Sequence, residues 1–115
     1  MFFQNKATWG GAVSGYALMR FHNCAFWANE TYISPSDGDG GAIAANIGNV
    51  EIANCTFYKN KADDLGGALQ AKSATIINSI FSENSAATKK PFAKTSKTTT
   101  TSLSKSISIE LSMIV

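Results

Sequence analysis

Inward and outward positions alternate in three short stretches of this chain. Met19, Phe21 and Asn23 alternate with Arg20 and His22; Val50, Ile52 and Asn54 with Glu51 and Ala53; Ala74, Ile76 and Asn78 with Thr75 and Ile77. Successive side chains of a strand point to opposite faces, so each trio shares one face. The pattern predicts three strands with these trios turned inward. The outward columns, Arg20/Glu51/Thr75 and His22/Ala53/Ile77, are mostly polar or small, which suits solvent. No stretch shows the 3.6-residue apolar period of a helix.

The strands belong to a repeat. Phe-x-x-Asn occurs at Phe2–Asn5, Phe26–Asn29, Phe57–Asn60 and Phe81–Asn84. Gly-Gly-Ala-aliphatic occurs between these copies at Gly10–Val13, Gly40–Ile43 and Gly66–Leu69. The phenylalanines are 24, 31 and 24 positions apart, and the long interval is ascribed to an insertion over Glu30–Asp39. A fixed period means one supersecondary unit stacked on copies of itself. Leucine-rich repeats need leucine at several fixed positions per unit. Residues 1–86 hold only Leu18, Leu65 and Leu69, at non-equivalent positions. The predicted architecture is therefore all-β, a parallel β-helix of about three to four coils.

Stacked strands put equivalent residues about 4.8 Å apart. Phe26, Phe57 and Phe81 are expected to stack on one another. Asn23, Asn54 and Asn78 are expected to form a buried amide ladder, because each carboxamide both donates and accepts. Gly40-Gly41 and Gly66-Gly67 are expected to supply positive φ or close backbone approach at a corner.

Charge divides the chain in two. Residues 1–86 carry five basic and seven acidic groups; residues 87–115 carry five lysines and Glu110 alone. The body is thus −2 and the tail +4. The Lys/Ser/Thr-rich tail matches none of the repeat columns and reads as low complexity, with a short terminal strand over Ser102–Met113. No aromatic residues interleave its lysines, so nucleic acid is not an expected partner. No apolar run is long enough to span a bilayer. Met1–Asn5 runs straight into the first motif, which predicts no secretory signal here and a segment of a longer chain.

Candidate chemistry is sparse. Asp37 and Asp39 precede one glycine doublet, and Asp63 and Asp64 precede the next. Four carboxylates at one corner of successive coils could hold Ca²⁺, but Asp and Gly are ordinary turn formers, and that reading is preferred. No other cofactor is expected. Cys24 and Cys55 share a column, and parallel side chains favour two free thiols over a bridge. His22 has no partner base or nucleophile in view. Arg20 and Glu51 are expected to pair across coils. Asn29-Glu30-Thr31 and Asn54-Cys55-Thr56 are glycosylation sequons; Asn54 is expected to be buried and Asn29 accessible.

Together, Asn54-Cys55-Thr56-Phe57-Tyr58-Lys59-Asn60, Gly66-Gly67-Ala68-Leu69 and Asn78-Ser79-Ile80-Phe81-Ser82-Glu83-Asn84 resemble the polymorphic outer membrane protein repeat of chlamydial surface proteins. The resemblance covers residues 2–86. It implies a right-handed parallel β-helix, displayed at the cell surface or secreted, with a structural or adhesive role and no catalytic residues. Partners would be a host or cell-surface protein or a glycan, besides neighbouring coils of a longer parent. No membrane β-barrel of alternating ten-residue segments is seen in the chain. Two alternatives stand beside this reading. One is a pectate-lyase-like enzyme using the aspartates, although the histidine-glycine and Arg-x-Lys motifs of polygalacturonase-like enzymes are missing. The other is a non-functional gene fragment.

Overall fold

The structure, a computed structural model, describes residues 1–32, 38–86, 92–94 and 98–100. Among these, all regular structure is β-strand and every strand pairing is parallel. The chain visits three sheets in turn and adds a strand to each on every pass. The first sheet collects Phe2–Phe3, Ala25–Trp27, Thr56–Tyr58 and Ile80–Ser82. The second collects Lys6–Ala7, Glu30–Thr31, Lys61–Ala62 and Ser85–Ala86. The third holds Val13–Ser14 and Met19–His22 beside Ile43–Ala53, and then Leu69–Ile77. Phe92–Lys94 and Thr98–Thr100 pair with Leu69–Ile77 as its next strand, so this sheet runs on into the tail. A parallel ladder asks only for backbone donors and acceptors, and threonine suits a pleated strand. The terminal strand expected over Ser102–Met113 lies outside the described residues.

Each pass turns three corners, and a residue with positive φ sits at each. Gln4, Ala28, Lys59 and Glu83 (φ 51–55°) lead from the first sheet to the second. Gly10, Gly40 and Gly66 (φ 55°, 67° and 64°) lead into the third. Asn23, Asn54 and Asn78 (φ 55°, 54° and 46°) lead back to the first. The two glycines of each doublet do different work. The first supplies the left-handed corner. The second has no room for a side chain: a Cβ on Gly11, Gly41 or Gly67 would collide with the carbonyl oxygen of Gly41, Gly67 or Ser85 in the next pass.

The core lies between the sheets. Phe2, Phe26, Phe57 and Phe81 form one column of near-parallel rings, with centroids 4.7, 4.5 and 4.5 Å apart. Phe21 meets Phe26 edge-on at 5.3 Å. Ile43, Leu69, Val50, Ile52, Ala74 and Ile76 complete the packing. An aromatic pair adds roughly 0.5–1.5 kcal/mol beyond its buried area, and Phe57 belongs to two pairs. Phe57→Leu, which keeps the site apolar, is therefore expected to cost about 1–3 kcal/mol in a denaturant melt.

Two sequence expectations are corrected. Asn23, Asn54 and Asn78 are exposed. Their positive φ breaks the alternation begun by the preceding strand, so Val50 and Ile52 point inward but Asn54 does not. The buried amide column belongs instead to the asparagines of Phe-x-x-Asn. The long 31-residue interval also has two causes. Relative to the pass from Phe57 to Phe81, five of its seven extra residues fall between Asn29 and Gly40. The other two lie inside the third sheet, where Ala45 and Asn49 pair with Ala71 and Ser73.

Candidate functional site

The asparagine column sets the rigidity of everything displayed outside it. Asn29 Oδ1 accepts from Asn5 N–H and Nδ2–H at 3.0 and 2.9 Å. Asn60 Oδ1 accepts the same pair from Asn29, and Asn84 Oδ1 the same pair from Asn60, at the same distances. The second amide hydrogens of Asn29, Asn60 and Asn84 go to the carbonyls of Phe2, Phe26 and Phe57. Each buried carboxamide thus satisfies a corner backbone that would otherwise lack partners. Cys55 and Ser79 do the parallel task at the Asn corner: Cys24 N–H donates to Cys55 Sγ (3.4 Å), and Cys55 N–H to Ser79 Oγ (3.1 Å). Both cysteines are free thiols. Burial pushes the Cys55 thiol pKa up, which disfavours the nucleophilic thiolate.

The aspartates do not come together as a metal centre among the described residues, where no group of three or more His, Cys, Asp or Glu is placed to hold an ion. Asp37 lies outside the described residues. Asp39 is buried, and its carboxylate accepts the Leu65 N–H at 3.0 Å, holding the corner of the following pass. Asp63 and Asp64 are half-buried and donate their backbone N–H groups to the Gly38 carbonyl at 3.1 Å each. Asp63 N–H also reaches Thr31 Oγ1, which itself donates to the Gly38 carbonyl at 2.6 Å. These contacts anchor the end of the insertion.

The two sequons exchange roles. Asn29 is fully buried with its amide engaged on both sides. Asn54 is exposed, and its Oδ1 accepts from Asn78 Nδ2 at 2.6 Å. His22 is exposed. Arg20 and Glu51 pair at 2.6 Å on the outer face of the third sheet.

The outer faces carry two further columns that the sequence reading missed. On the first sheet, Phe3 and Trp27 are 45% and 41% exposed, with ring centroids 4.9 Å apart, and Tyr58 follows 6.5 Å further on. Lys59 Nζ sits 5.0 Å from the Tyr58 ring centroid. The available signal was the position immediately after each repeat phenylalanine, which alternation turns outward. On the second sheet Lys6, Glu30 and Lys61 share one register line. Glu30 is 3.1 Å from Lys6 and 3.4 Å from Lys61. The Lys6 hydrogen bond, aided by Lys61 and opposed by burial, holds the Glu30 carboxyl below the usual carboxylate range. A depressed pKa stabilises the fold above the unfolded carboxylate value and is lost as pH falls through the folded one. Acidification below about pH 4.3 is therefore expected to remove this contribution. It amounts to about 0.2–1 kcal/mol per exposed pair, and Glu30→Gln should flatten that part of a stability-versus-pH curve.

The arrangement defines a class: an all-β protein of stacked three-corner passes, whose interior columns are fixed and whose outer columns vary. Residues 54–72, running from the Asn54 corner through Phe57, Asn60 and the Gly66-Gly67 doublet into the third sheet, match the model of the Chlamydia polymorphic membrane protein repeat. The match covers residues 54–72, and the repeat's family is one of outer membrane proteins. No curated protein and no solved structure matches the chain. Among the described residues no helix is long and apolar enough to cross a membrane.

Proposed function

We propose that this chain is a segment of a right-handed parallel β-helix that serves a structural and adhesive role in a cell-surface or secreted protein and turns over no substrate. The observation that carries this reading is the repeat match at 54–72 on one complete set of corners, with the asparagine corner recurring at Asn23 and Asn78 and the glycine corner at Gly10 and Gly40. Identical interior columns fix the backbone, and the outward residues are then free to differ from pass to pass. Exposed aromatic and charged columns on a rigid face suit recognition of a host or cell-surface protein or glycan. Asp39, more buried than Asp63 and Asp64, serves its neighbouring corner in this reading.

The test pairs two measurements. Purified protein immobilised on beads is expected to retain target cells, and this retention is expected to fall when the outer column is changed by Trp27→Ser and Phe3→Ser together. The same protein is expected to leave polygalacturonate intact with and without calcium, and its melting temperature is expected to be indifferent to calcium. Saturable calcium binding accompanied by β-elimination would replace this reading with the lyase.

A further inference from the structure

A cavity of about 240 Å³ opens on the outer side of the third sheet, lined by Trp9, Ser14, Gly15, Tyr16 and Ala44. Its floor follows from strand register. Ser14 pairs with Ala44, and Ala44 with Gln70, so these three form one column on the face opposite the core residues Val13, Ile43 and Leu69. Its walls follow from the loops. Trp9 stands directly before the Gly10 corner, and Tyr16 follows Gly15, whose N–H is tied to the Ala44 carbonyl at 3.0 Å. Both wall residues keep much of their surface open, 38% for Trp9 and 77% for Tyr16.

We propose that this cleft binds one neutral pyranose unit of a glycan, which gives the adhesive reading above, on which it rests, a ligand class and a place. Size is the first argument. The volume equals that of about eight liquid waters, and it falls below the roughly 300–1,000 Å³ typical of drug-sized pockets. That is the scale of a single sugar ring. Charge is the second. None of the five lining residues carries a charge at neutral pH, so a phosphate, uronate or ammonium ligand meets no opposite charge from them. Polarity is the third, and it separates a sugar from an apolar protein side chain. Trp9, Ser14 and Tyr16 all line the cleft, and each side chain carries a group able to bond a hydroxyl. A purely apolar occupant would use none of these groups. The aromatic walls suit the C–H faces of a pyranose, and the polar tips suit its equatorial hydroxyls.

A second observation lies on the same floor. The Gln70 Oε1 atom is buried and makes no hydrogen bond, among the described residues the one such side-chain oxygen. It belongs to the outward column one strand beyond Ala44. Being enclosed, that oxygen lies out of reach of a ligand in the open cleft, which keeps the proposal to a single unit.

Ligand-observed NMR on the full chain tests the proposal, using the methyl glycosides of glucose, galactose, mannose and N-acetylglucosamine and their neutral disaccharides. Saturable binding in the millimolar range is expected for at least one of them, weakened by about tenfold or more in Trp9→Ala and in Tyr16→Ala. Both side chains project from loops, and unchanged circular dichroism and melting are expected to show that both variants fold. A panel with no saturable response overturns the proposal, as do variant affinities within about tenfold of the parent. So does a stronger response to galacturonate, or to a proline- or leucine-containing peptide, than to any neutral sugar. Cell retention by the parent protein together with no saturable sugar response removes the cleft and leaves the adhesive reading standing.

Discussion

Gly41→Ala is expected to destroy the cooperative thermal transition, with a loss of about 4 kcal/mol or more. The added methyl would overlap the Gly67 carbonyl oxygen and lie 2.6 and 2.7 Å from the Lys61 carbonyl carbon and amide nitrogen. All three atoms are backbone in the next pass, so no rotamer change relieves the clash. The spacing cannot open locally, because Gly41 N–H is bonded to the Gly66 carbonyl at 2.9 Å and Gly11 N–H to the Gly40 carbonyl at 3.1 Å. Separating the passes enough to admit a methyl breaks these ladder bonds and unstacks the phenylalanine column beside them. A single domain has only about 5–15 kcal/mol in total. Gly15→Ala is the contrasting change. There the added Cβ meets the Met19 Sδ at 2.8 Å, the end of a flexible side chain that can turn away. Gly15→Ala is expected to stay within about 1 kcal/mol of the parent. Paired denaturant melts decide the matter, and similar midpoints for the two variants would show that the passes are not in close register at the doublets.

The contrast between these glycines shows what the sequence made legible. Residues that repeat because geometry forbids anything else were readable: the Gly-Gly doublets and the phenylalanine column recur in type and at matching places. Orientation was less readable wherever a corner interrupts a strand. Alternation carried from Val50 through Ile52 to Asn54 assumes extended backbone throughout, and the φ of 54° at Asn54 ends that assumption. Asparagine tolerates the left-handed region better than most residues, so the signal existed at this position. It did not exist at Ala28, Lys59 or Glu83, which have positive φ without any residue-type preference for it.

The motif spacing held a further clue. In a flat strand, residues three apart face opposite sides. Phe57 and Asn60 both point inward, which requires a corner between them, and Lys59 supplies it. Phe-x-x-Asn is therefore the signature of a turn as much as of a strand. The outer cleft at Trp9 and Tyr16 had no such signature, since neither residue recurs in its column. Its shape emerges only when two loops of different length close over one sheet.

Asn60→Leu is expected to cost about 3–6 kcal/mol, and Asn54→Gly less than about 0.5 kcal/mol, although both residues are asparagines within one repeat. The Asn60 carboxamide is fully buried at the centre of its column. Leucine there would fill similar space and leave three groups without partners: the Asn29 backbone N–H, one hydrogen of Asn29 Nδ2, and the Phe26 carbonyl. Each orphaned buried group costs about 1–3 kcal/mol, and no water can reach them between stacked strands. The Asn60 backbone N–H keeps its bond to Asn84 Oδ1, so the column below survives and the damage concentrates on the passes above. Hydrogen exchange resolves this direction: amides of Asn29 to Thr31 are expected to lose protection before those of Ser85 and Ala86. Asn54 makes only an exposed side-chain bond to Asn78, and glycine accepts its left-handed backbone without strain. Equal melting shifts for the two substitutions would mean that the fold's polar support does not run through the Phe-x-x-Asn carboxamides. The rigidity on which any outward binding column depends would then have to come from the aromatic stack alone.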